Sequence, residues 1–532
     1  STPSTATPNA PGAATAPEAK PRDQVLAGSP RVAIDTPSLK GSIALIGARL
    51  DDLILPKYRE TIDPQSPPIV LLSPDGTEHP YFIEYGWVTA PDSGVKAPDG
   101  STRWTASQGA LTPQHPIDLS WDNGAGVRFV RHYAVDDEYM FTVTQTVENK
   151  SGQPVTLYPY ALVSRTGNPV TSSTYILHEG PIGVLDGTLK EIKYADLAKS
   201  GKPDEFKSTG GWLGITDKYW LTSLIPDQQE TLKARFTAVN RDKTEVYQVD
   251  YTGGEHVVPP GGSVSSTGRL FAGAKEVHLL DSYASADNIP LFDHAIDFGW
   301  FYWITKPIFL TLDFFYQRIG NFGLSILLLT VIIKLIFFPL ANKSYRAMSK
   351  MKLLQPEMEK LRERFGDDKA RLQQEMMALY KRVGANPMAG CLPIIIQIPV
   401  FFSLYKVLYV TIEMRHAPFF GWIHDLSAPD PTTFLNLFGA LPFTPPPELA
   451  FLHIGAWPLI MGVTMFLQQK LNPQPADPIQ AKMFMVLPVV FTYMLAQFPA
   501  GLVIYWAWNN LLSIAQQWLI MRRATSTVPA KA

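Results

Sequence analysis

The stretch Phe322-Gly-Leu-Ser-Ile-Leu-Leu-Leu-Thr-Val-Ile-Ile-Lys-Leu-Ile-Phe-Phe-Pro-Leu340 carries a single charge, Lys334, in an otherwise apolar run of 19 residues. At 1.5 Å per residue such a run spans about 28 Å, close to the hydrocarbon thickness of a bilayer, and it reads as a membrane helix. A lysine near the bilayer centre costs about 2.5 to 3.5 kcal/mol on insertion scales, so it is tolerated where it faces a polar cavity or a partner. The rival reading is snorkelling, with the stem along lipid and the ammonium among headgroups. The next basic residues, Lys343 and Arg346, lie nine or more residues on, or about 13 Å along the axis, roughly twice the reach of a lysine. The cavity-facing cation is the stronger reading.

Working outward, the chain has 532 residues, which suggests three or four units rather than one domain. Its net charge of −2 leaves no bulk electrostatic case for nucleic acid. Apolar density rises sharply after about Trp300, so a soluble front half precedes a membrane back half. The single cysteine, Cys391, excludes an intrachain disulfide and any multi-cysteine metal site, and at the start of an apolar run it reads as a small hydrophobe. No metal and no cofactor is implied.

Residues 1–32 open on Ser1-Thr-Pro-Ser-Thr-Ala-Thr-Pro and are poor in aromatic and branched residues, the composition of a disordered tether. With no initiator Met, the numbering is expected to begin after a removed segment such as an amino-terminal anchor. From about Ala33 the period becomes two. Ser42-Ile-Ala-Leu-Ile, Tyr81-Phe-Ile-Glu-Tyr, Val127-Arg-Phe-Val-Arg-His-Tyr, Met140-Phe-Thr-Val-Thr-Gln-Thr-Val, Val155-Thr-Leu-Tyr-Pro-Tyr-Ala-Leu-Val and Thr244-Glu-Val-Tyr-Gln-Val-Asp-Tyr are strand-like, with Gly-containing turns between them. Many short strands and few helical windows indicate a large antiparallel β-sandwich over residues 33–290.

That sandwich carries no recognisable catalytic signature. Gly-x-Ser-x-Gly, His-Glu-x-x-His, a phosphate loop and Gly-x-Gly-x-x-Gly are all missing from the sequence. His79, His115, His132, His178, His256 and His278 are dispersed, and Asp136, Asp137 and Glu138 read as a turn. A sandwich of this size could hold a sugar, but ordinary surface and core roles account for these residues, and no enzyme is expected.

Residues 291–320 mix tryptophan, tyrosine and the charges Lys306, Asp313 and Arg318, which suits an amphipathic helix in the headgroup plane better than a short span. Beyond the Lys334 stretch, Met351, Leu354, Met358, Leu361 and Phe365, then Leu372, Met376, Leu379 and Val383, repeat at spacings of three and four around Gly366-Asp367-Asp368. Two helices with heptad seams predict a coiled-coil hairpin over residues 343–386. Residues 343–382 hold 11 Lys/Arg against 6 Asp/Glu, and their methionines make an adaptable surface beyond what a self-satisfied pair needs.

Four further apolar stretches, near Cys391–Ile412, His453–Leu467, Met483–Phe498 and Leu502–Met521, bring the expected crossings to five, within a core of residues 321–523 and a short tail of 524–532. If the five alternate, the hairpin, Lys470, Lys482, Arg522 and Arg523 share one side, opposite the acidic loop Glu413 to Leu452, which puts the basic side in the cytoplasm and the β domain outside. Polar residues accompany Lys334 inside the spans: Thr330 one turn before it, Gln397, Gln497, Tyr505, Trp506, Asn509 and Asn510. Each alone could be interhelical glue. Together with a buried cation they suggest a wet groove closed toward the acidic side.

Phe337-Phe-Pro-Leu340, Met351-Lys-Leu-Leu-Gln-Pro-Glu357, Gln374-Glu-Met-Met-Ala-Leu-Tyr380, Asn386-Pro-Met-Ala-Gly-Cys-Leu-Pro393, Gln397-Ile-Pro-Val-Phe-Phe402, Trp422-Ile-His-Asp-Leu-Ser-Ala428 and Phe498-Pro-Ala-Gly-Leu502 together closely resemble the YidC/Oxa family of membrane-protein insertases over roughly residues 300–523. The front half resembles the periplasmic β-supersandwich of Gram-negative members more weakly, chiefly through Gly211-Trp-Leu-Gly-Ile-Thr-Asp-Lys-Tyr-Trp220. The resemblance implies an α+β multidomain protein of the bacterial inner membrane. In it a five-helix core opens a groove to the cytoplasm and accepts hydrophilic parts of nascent membrane proteins while their apolar segments slide into lipid.

The resemblance also implies that Lys334 replaces the usual groove arginine, keeping the charge without the bidentate fork. It places substrate contacts on Thr330, Phe401, Met461, Met465, Tyr505 and Trp506, and it implies the Sec translocon (SecYEG and SecDF) and the ribosome as partners. After Arg523 the tail adds only Lys531, so the long basic ribosome-binding tail of some relatives is missing. Two other classes compete: a small-solute or proton transporter, for which paired discontinuous helices and an internal repeat would speak, and a structural scaffold of the secretion machinery.

Overall fold

The computed structural model of the chain describes residues 9–12, 19–90, 93–167, 169, 171, 177–241, 244–366, 368–384, 392–441, 443, 446–471 and 478–525. The chain forms two compact units, Ser1–Asp297 and Phe298–Ala532.

In the first unit the period-two segments become two antiparallel sheets. One runs in the order Arg31–Asp35, Lys40–Ala44, Leu50–Arg59, Tyr81–Thr89, Val155–Thr166, Thr244–Thr252, Thr231–Arg241, Asp204–Thr209, and the other Thr188–Glu191, Gly180–Leu185, Trp212–Thr216, Trp220–Ile225, Ser263–Ala274, Met140–Asn149, Val127–Val135, Ile117–Asp122, Thr105–Ala106. Alternation is visible in Val127–Val135, where every second residue is buried and the others are less so. Trp212, Tyr133, Phe129, Phe141, Phe236 and Phe271 are fully buried in the core of this unit. The sheets are also stitched by a buried cation: the Arg131 guanidinium donates to the carbonyls of Ala48 and Tyr85 and lies 4.8 Å from the Trp104 ring.

Val155–Thr166 contains Pro159 yet lies inside its sheet, where a missing N–H is normally excluded. One edge pairs continuously with Tyr81–Thr89, while the other changes partner, from His256–Val258 at residues 155–157 to Thr244–Thr252 at residues 160–166. Pro159 falls in the gap between those two ladders.

Three helices that the strand pattern did not disclose complete the unit: α1 (Arg22–Ala27), α2 (Tyr194–Ser200) and α3 (Val277–Ala286). The expected tether at 1–32 differs in its described part. Arg22 pairs with Asp52, Lys20 N–H donates to the Gly76 carbonyl, and Ala10 is buried, because a methyl and a few carbonyls find a fitted surface. Residues 1–8 and 13–18 of that expectation lie outside the described residues.

The second unit is helical: α4 (Tyr302–Ile319), α5 (Phe322–Ile336), α6 (Phe338–Leu353), α7 (Gln355–Phe365), α8 (Lys369–Val383), α9 (Leu392–Val410), α10 (Ala456–Leu471), α11 (Pro478–Leu495) and α12 (Ala500–Thr525). The stretch expected to be one straight span is broken. α5 ends after 15 residues, Phe337 takes φ −89° and ψ 5°, and α6 leaves at 68°. Pro339, in the first turn of α6, supplies no N–H for the Leu335 carbonyl and so favours a restart over continuation. Among the described residues no single helix is long and apolar enough to cross a membrane, and the bent pair α5–α6 passes that test only jointly.

The α7–α8 pair buries Leu354, Met358 and Leu379, with Met351, Leu361, Met376 and Tyr380 packed against them, so much of the expected seam lies in one cluster, while Val383 is exposed. Asp367 and the segment 385–391 with Cys391 lie outside the described residues, as does the tail after Thr525. α4 buries Ile308, Phe309 and Leu312 and exposes Trp303, Leu310 and Phe314.

Candidate functional site

α5 starts on Asn321, whose side chain accepts the Leu324 N–H, and the helix packs against α4 and α12. Trp508 of α12 donates its indole N–H to the Leu327 carbonyl at 3.2 Å, which fixes the two helices against each other. One turn beyond Leu327 on α5, Thr330 and Lys334 share a face. They open onto a cavity of about 50 Å³, room for a few waters.

Lys334 Nζ donates to Ser513 Oγ at 2.7 Å, and Ser513 Oγ donates in turn to the Asn509 carbonyl at 2.8 Å. Tyr345, carried in by the bent α6, also hydrogen-bonds Ser513. Across the cavity, Gln397 of α9 hydrogen-bonds the Tyr505 hydroxyl. Thr330, Ile333, Lys334, Gln397, Val400, Tyr505, Asn509 and Gln516 are all wall residues. Lys334 has no carboxylate partner among the described residues; its ammonium meets the Ser513 hydroxyl in a hollow whose walls mix polar side chains with Ile333, Phe337, Leu340 and Val400. The Gln516 Nε2 in the wall is buried without a hydrogen-bond partner.

The residues singled out in the sequence divide between this cavity and a second place. Thr330, Lys334, Gln397 and Tyr505 come together on the cavity. Phe401, Met461, Met465 and Trp506 gather instead in an apolar cluster with Leu495, Val503 and Ala507, the Phe401 ring edge-on to Trp506 at 4.7 Å. Asn510 faces α10, donating to Thr464 Oγ1 at 3.2 Å, and Gln497 is exposed in the turn after α11. Three polar residues here were not picked out: Ser513, which holds Lys334, and the wall residues Gln516 and Tyr345. The first two extend Asn509 at spacings of four and three, a polar stripe legible in the sequence. Tyr345 had no such signal, because only the bend brings it in.

At the other end of this bundle the loop following α9 is tied to α10 and α12. Asp430 accepts from Trp457 N–H at the start of α10 and from Trp422 Nε1, and Ala428 and Leu426 carbonyls accept from Ala500 and Gly501 at the start of α12. Around the bundle, α11 exposes Met483, Phe484, Met485, Val486, Val489, Val490 and Met494, and α10 exposes Val463 and Leu467. Apolar exposure on that scale marks a surface meant for lipid or protein.

A β-sandwich unit followed by a helical unit with a broad exposed apolar surface and a lysine in an internal hollow defines a class of membrane protein with a folded extramembrane domain. Comparison with known proteins narrows it. Residues 31–311 match the family described as YidC periplasmic domain, and residues 314–527 the family described as 60Kd inner membrane protein. The chain is 57% identical to the membrane protein insertase YidC of Methylobacterium sp. (strain 4-46) over 511 residues, 94% of this chain and 81% of that one. It is 55% identical to the protein of the same name from Granulibacter bethesdensis over 517 residues, 95% and 89%. A crystal structure titled as an active YidC insertase with its first transmembrane domain resolved overlays at a TM-score of 0.37 and 17% identity, covering 91% of each chain. The chain belongs to the YidC family of membrane protein insertases.

Proposed function

We propose that this chain inserts nascent inner-membrane proteins and helps them fold, by lending the hollow at Lys334 to hydrophilic segments in transit. The observation that carries the reading is the Lys334–Ser513 contact inside a cavity walled by Thr330, Gln397, Tyr505 and Asn509. A cation held there, unneutralised by any described carboxylate, offers an acidic or polar segment both water and an opposite charge part-way into an apolar environment. Lowering such a barrier by about 3 kcal/mol speeds crossing roughly 150-fold. No covalent step and no nucleotide is required.

In this reading α5 with α6, α9, α10, α11 and α12 supply five crossings, the α7–α8 hairpin and the carboxyl end lie in the cytoplasm, and the sandwich lies in the periplasm. Lys343, Arg346 and the basic hairpin on one side and the acidic loop on the other support that orientation. The half-buried Phe401, Met465 and Trp506, packed over a fully buried Met461, are the adaptable face against which a client's hydrophobic segment rests. The Sec translocon and the ribosome are the partners in this reading.

The test is reconstitution of the purified chain into liposomes with a single-span client bearing an acidic amino-terminal segment. Client protected from added protease, with no flux of small ions, supports the reading; ion flux without insertion supports the transporter instead. Crosslinks from a photoreactive residue at position 505 to a stalled client are expected in the same preparation.

A further inference from the structure

The β unit holds a cleft of about 710 Å³ whose walls include Arg49, Phe82, Glu84, Trp87 and Tyr160, and one wall is the chain's own segment Asn9–Gly12. That segment is seated, not draped. Ala10 is 5% exposed and packs in one cluster with Phe82, Tyr160, Leu162 and Val246. Arg235 Nη2 donates to the Ala10 carbonyl at 2.9 Å, Gln248 Nε2 donates to the Pro11 carbonyl at 3.0 Å, and Lys233 Nζ donates to Asn9 Oδ1 at 3.0 Å.

The donors are prearranged. Lys233 and Arg235 alternate onto one face of their strand, and Arg235 pairs across the ladder with Asp250. Asp250 is fully buried and accepts from Arg235 through both carboxylate oxygens, at 3.0 and 3.2 Å, and from Gln248 at 2.8 Å. One carboxylate therefore aims two N–H groups outward at successive backbone carbonyls. Two consecutive carbonyls recognised by side chains, a pocket that fits a methyl, and a proline that presets the extended conformation are the elements of peptide recognition. The surrounding aromatic walls are of the kind that such segments dock on.

We propose that this face of the sandwich is a binding site for extended, uncharged Ala-Pro segments, held closed in cis by Asn9–Gly12. Segments from other chains enter when the internal segment leaves. Specificity resides in the Ala10 pocket, which rejects a charged or large side chain, and in the Arg235–Asp250–Gln248 triad, which reads backbone and not sequence. The cleft beside it takes the continuation of the bound chain.

The experiment uses a fluorescent peptide with the sequence of residues 5–16 and two full-length proteins in detergent, the intact chain and one lacking residues 1–18. Anisotropy is expected to show the shortened protein binding the peptide at least tenfold more tightly than the intact one. A peptide with Ala10→Asp is expected to lose that binding, a change that leaves the folded protein untouched. Arg235→Lys in the shortened protein is expected to weaken binding at least fivefold, since the charge stays while the fork is lost. Equal binding by intact and shortened proteins, no binding by the shortened one, or indifference to Ala10→Asp overturns the proposal. None of these readouts depends on insertion activity, so the two proposals stand or fall separately.

Discussion

Lys334 on α5 and Ser513 on α12 are 179 positions apart in sequence and 2.7 Å apart in space, the ammonium donating to the hydroxyl. Neither helix alone makes the site. The contact places a positive charge against a neutral acceptor, and no described carboxylate cancels it. Lys334→Arg is expected to insert an acidic-tailed single-span client within about threefold of the parent rate, because charge persists. Lys334→Ala is expected to slow that client between ten- and roughly 150-fold while leaving a neutral-tailed client unaffected. Protease protection of both clients in a depletion strain is the measurement. Equal rates for the alanine variant on both clients would remove charge from the mechanism.

In the β unit a second lysine is buried without a client to serve. Lys275 is 1% exposed, with its ammonium donating to Thr216 Oγ1 at 2.9 Å and to the Ala295 carbonyl at 3.2 Å. Burial pulls its pKa down from 10.5 to about 8, against the partly opposing attraction of Asp217, Asp297, Glu179 and Glu191. Between those two values the unfolded chain holds a proton that the folded chain has released. Stability contributed by this group is therefore lowest below pH 8 and rises as pH climbs from about 8 to 10.5, by at most roughly 3 kcal/mol. Lys275→Met is expected to abolish that rise. Urea denaturation of residues 1–297 at several pH values checks it.

Gly323, near the start of α5, leaves room for a ring of the loop following α9. A Cβ built there would lie 2.0 Å from Phe419 Cδ2. Phe419 also packs near Trp457, at the start of α10, with ring centroids 6.3 Å apart. Gly323→Ala is expected to push the ring out and cost about 1 to 3 kcal/mol, the usual penalty of overpacking. Phe419→Ala costs packing of its own, but combined with Gly323→Ala it should cost less than the sum of the two. Melting temperatures of the four proteins close the cycle, and strict additivity would show that residues 323 and 419 do not touch.

How much of this was legible beforehand follows from which interactions are local. The period of two announced the sandwich because strand side chains alternate whatever the partner, and the spacing of Met351, Leu354 and Met358 announced a packed helix pair for the same reason. The four-residue step from Thr330 to Lys334 placed both on one face of α5. The division between Tyr505 and Trp506, one on the cavity and one in the apolar cluster, was not readable from their adjacency, since it depends on which neighbours α12 meets. Ala10 in its pocket could not be read either. A Pro/Ala-rich composition says that a segment cannot make its own core, not that another part of the chain has built a place for it.

The bend between α5 and α6 has two candidate causes, and magnitudes separate them. Pro339 deprives the Leu335 carbonyl of its donor and crowds it with its ring, together costing an uninterrupted helix about 3 kcal/mol. The bend also lets α6 bury Tyr345 and Met348 against Ile520 of α12, with Phe338 and Ala341 packed beside them. Burying two such side chains is worth roughly 3 to 6 kcal/mol together. Packing therefore at least matches the proline, and Pro339→Ala alone is expected to keep the 68° bend. Spin labels at the exposed positions Leu328 and Lys350, in a protein whose native Cys391 is replaced by serine, would report it. The distance distribution is expected to be unchanged in Pro339→Ala and to lengthen when Tyr345→Ala and Met348→Ala are added. Straightening by Pro339→Ala alone would make the proline the cause, and would make the placement of Tyr345 beside Ser513 a consequence of a single missing N–H.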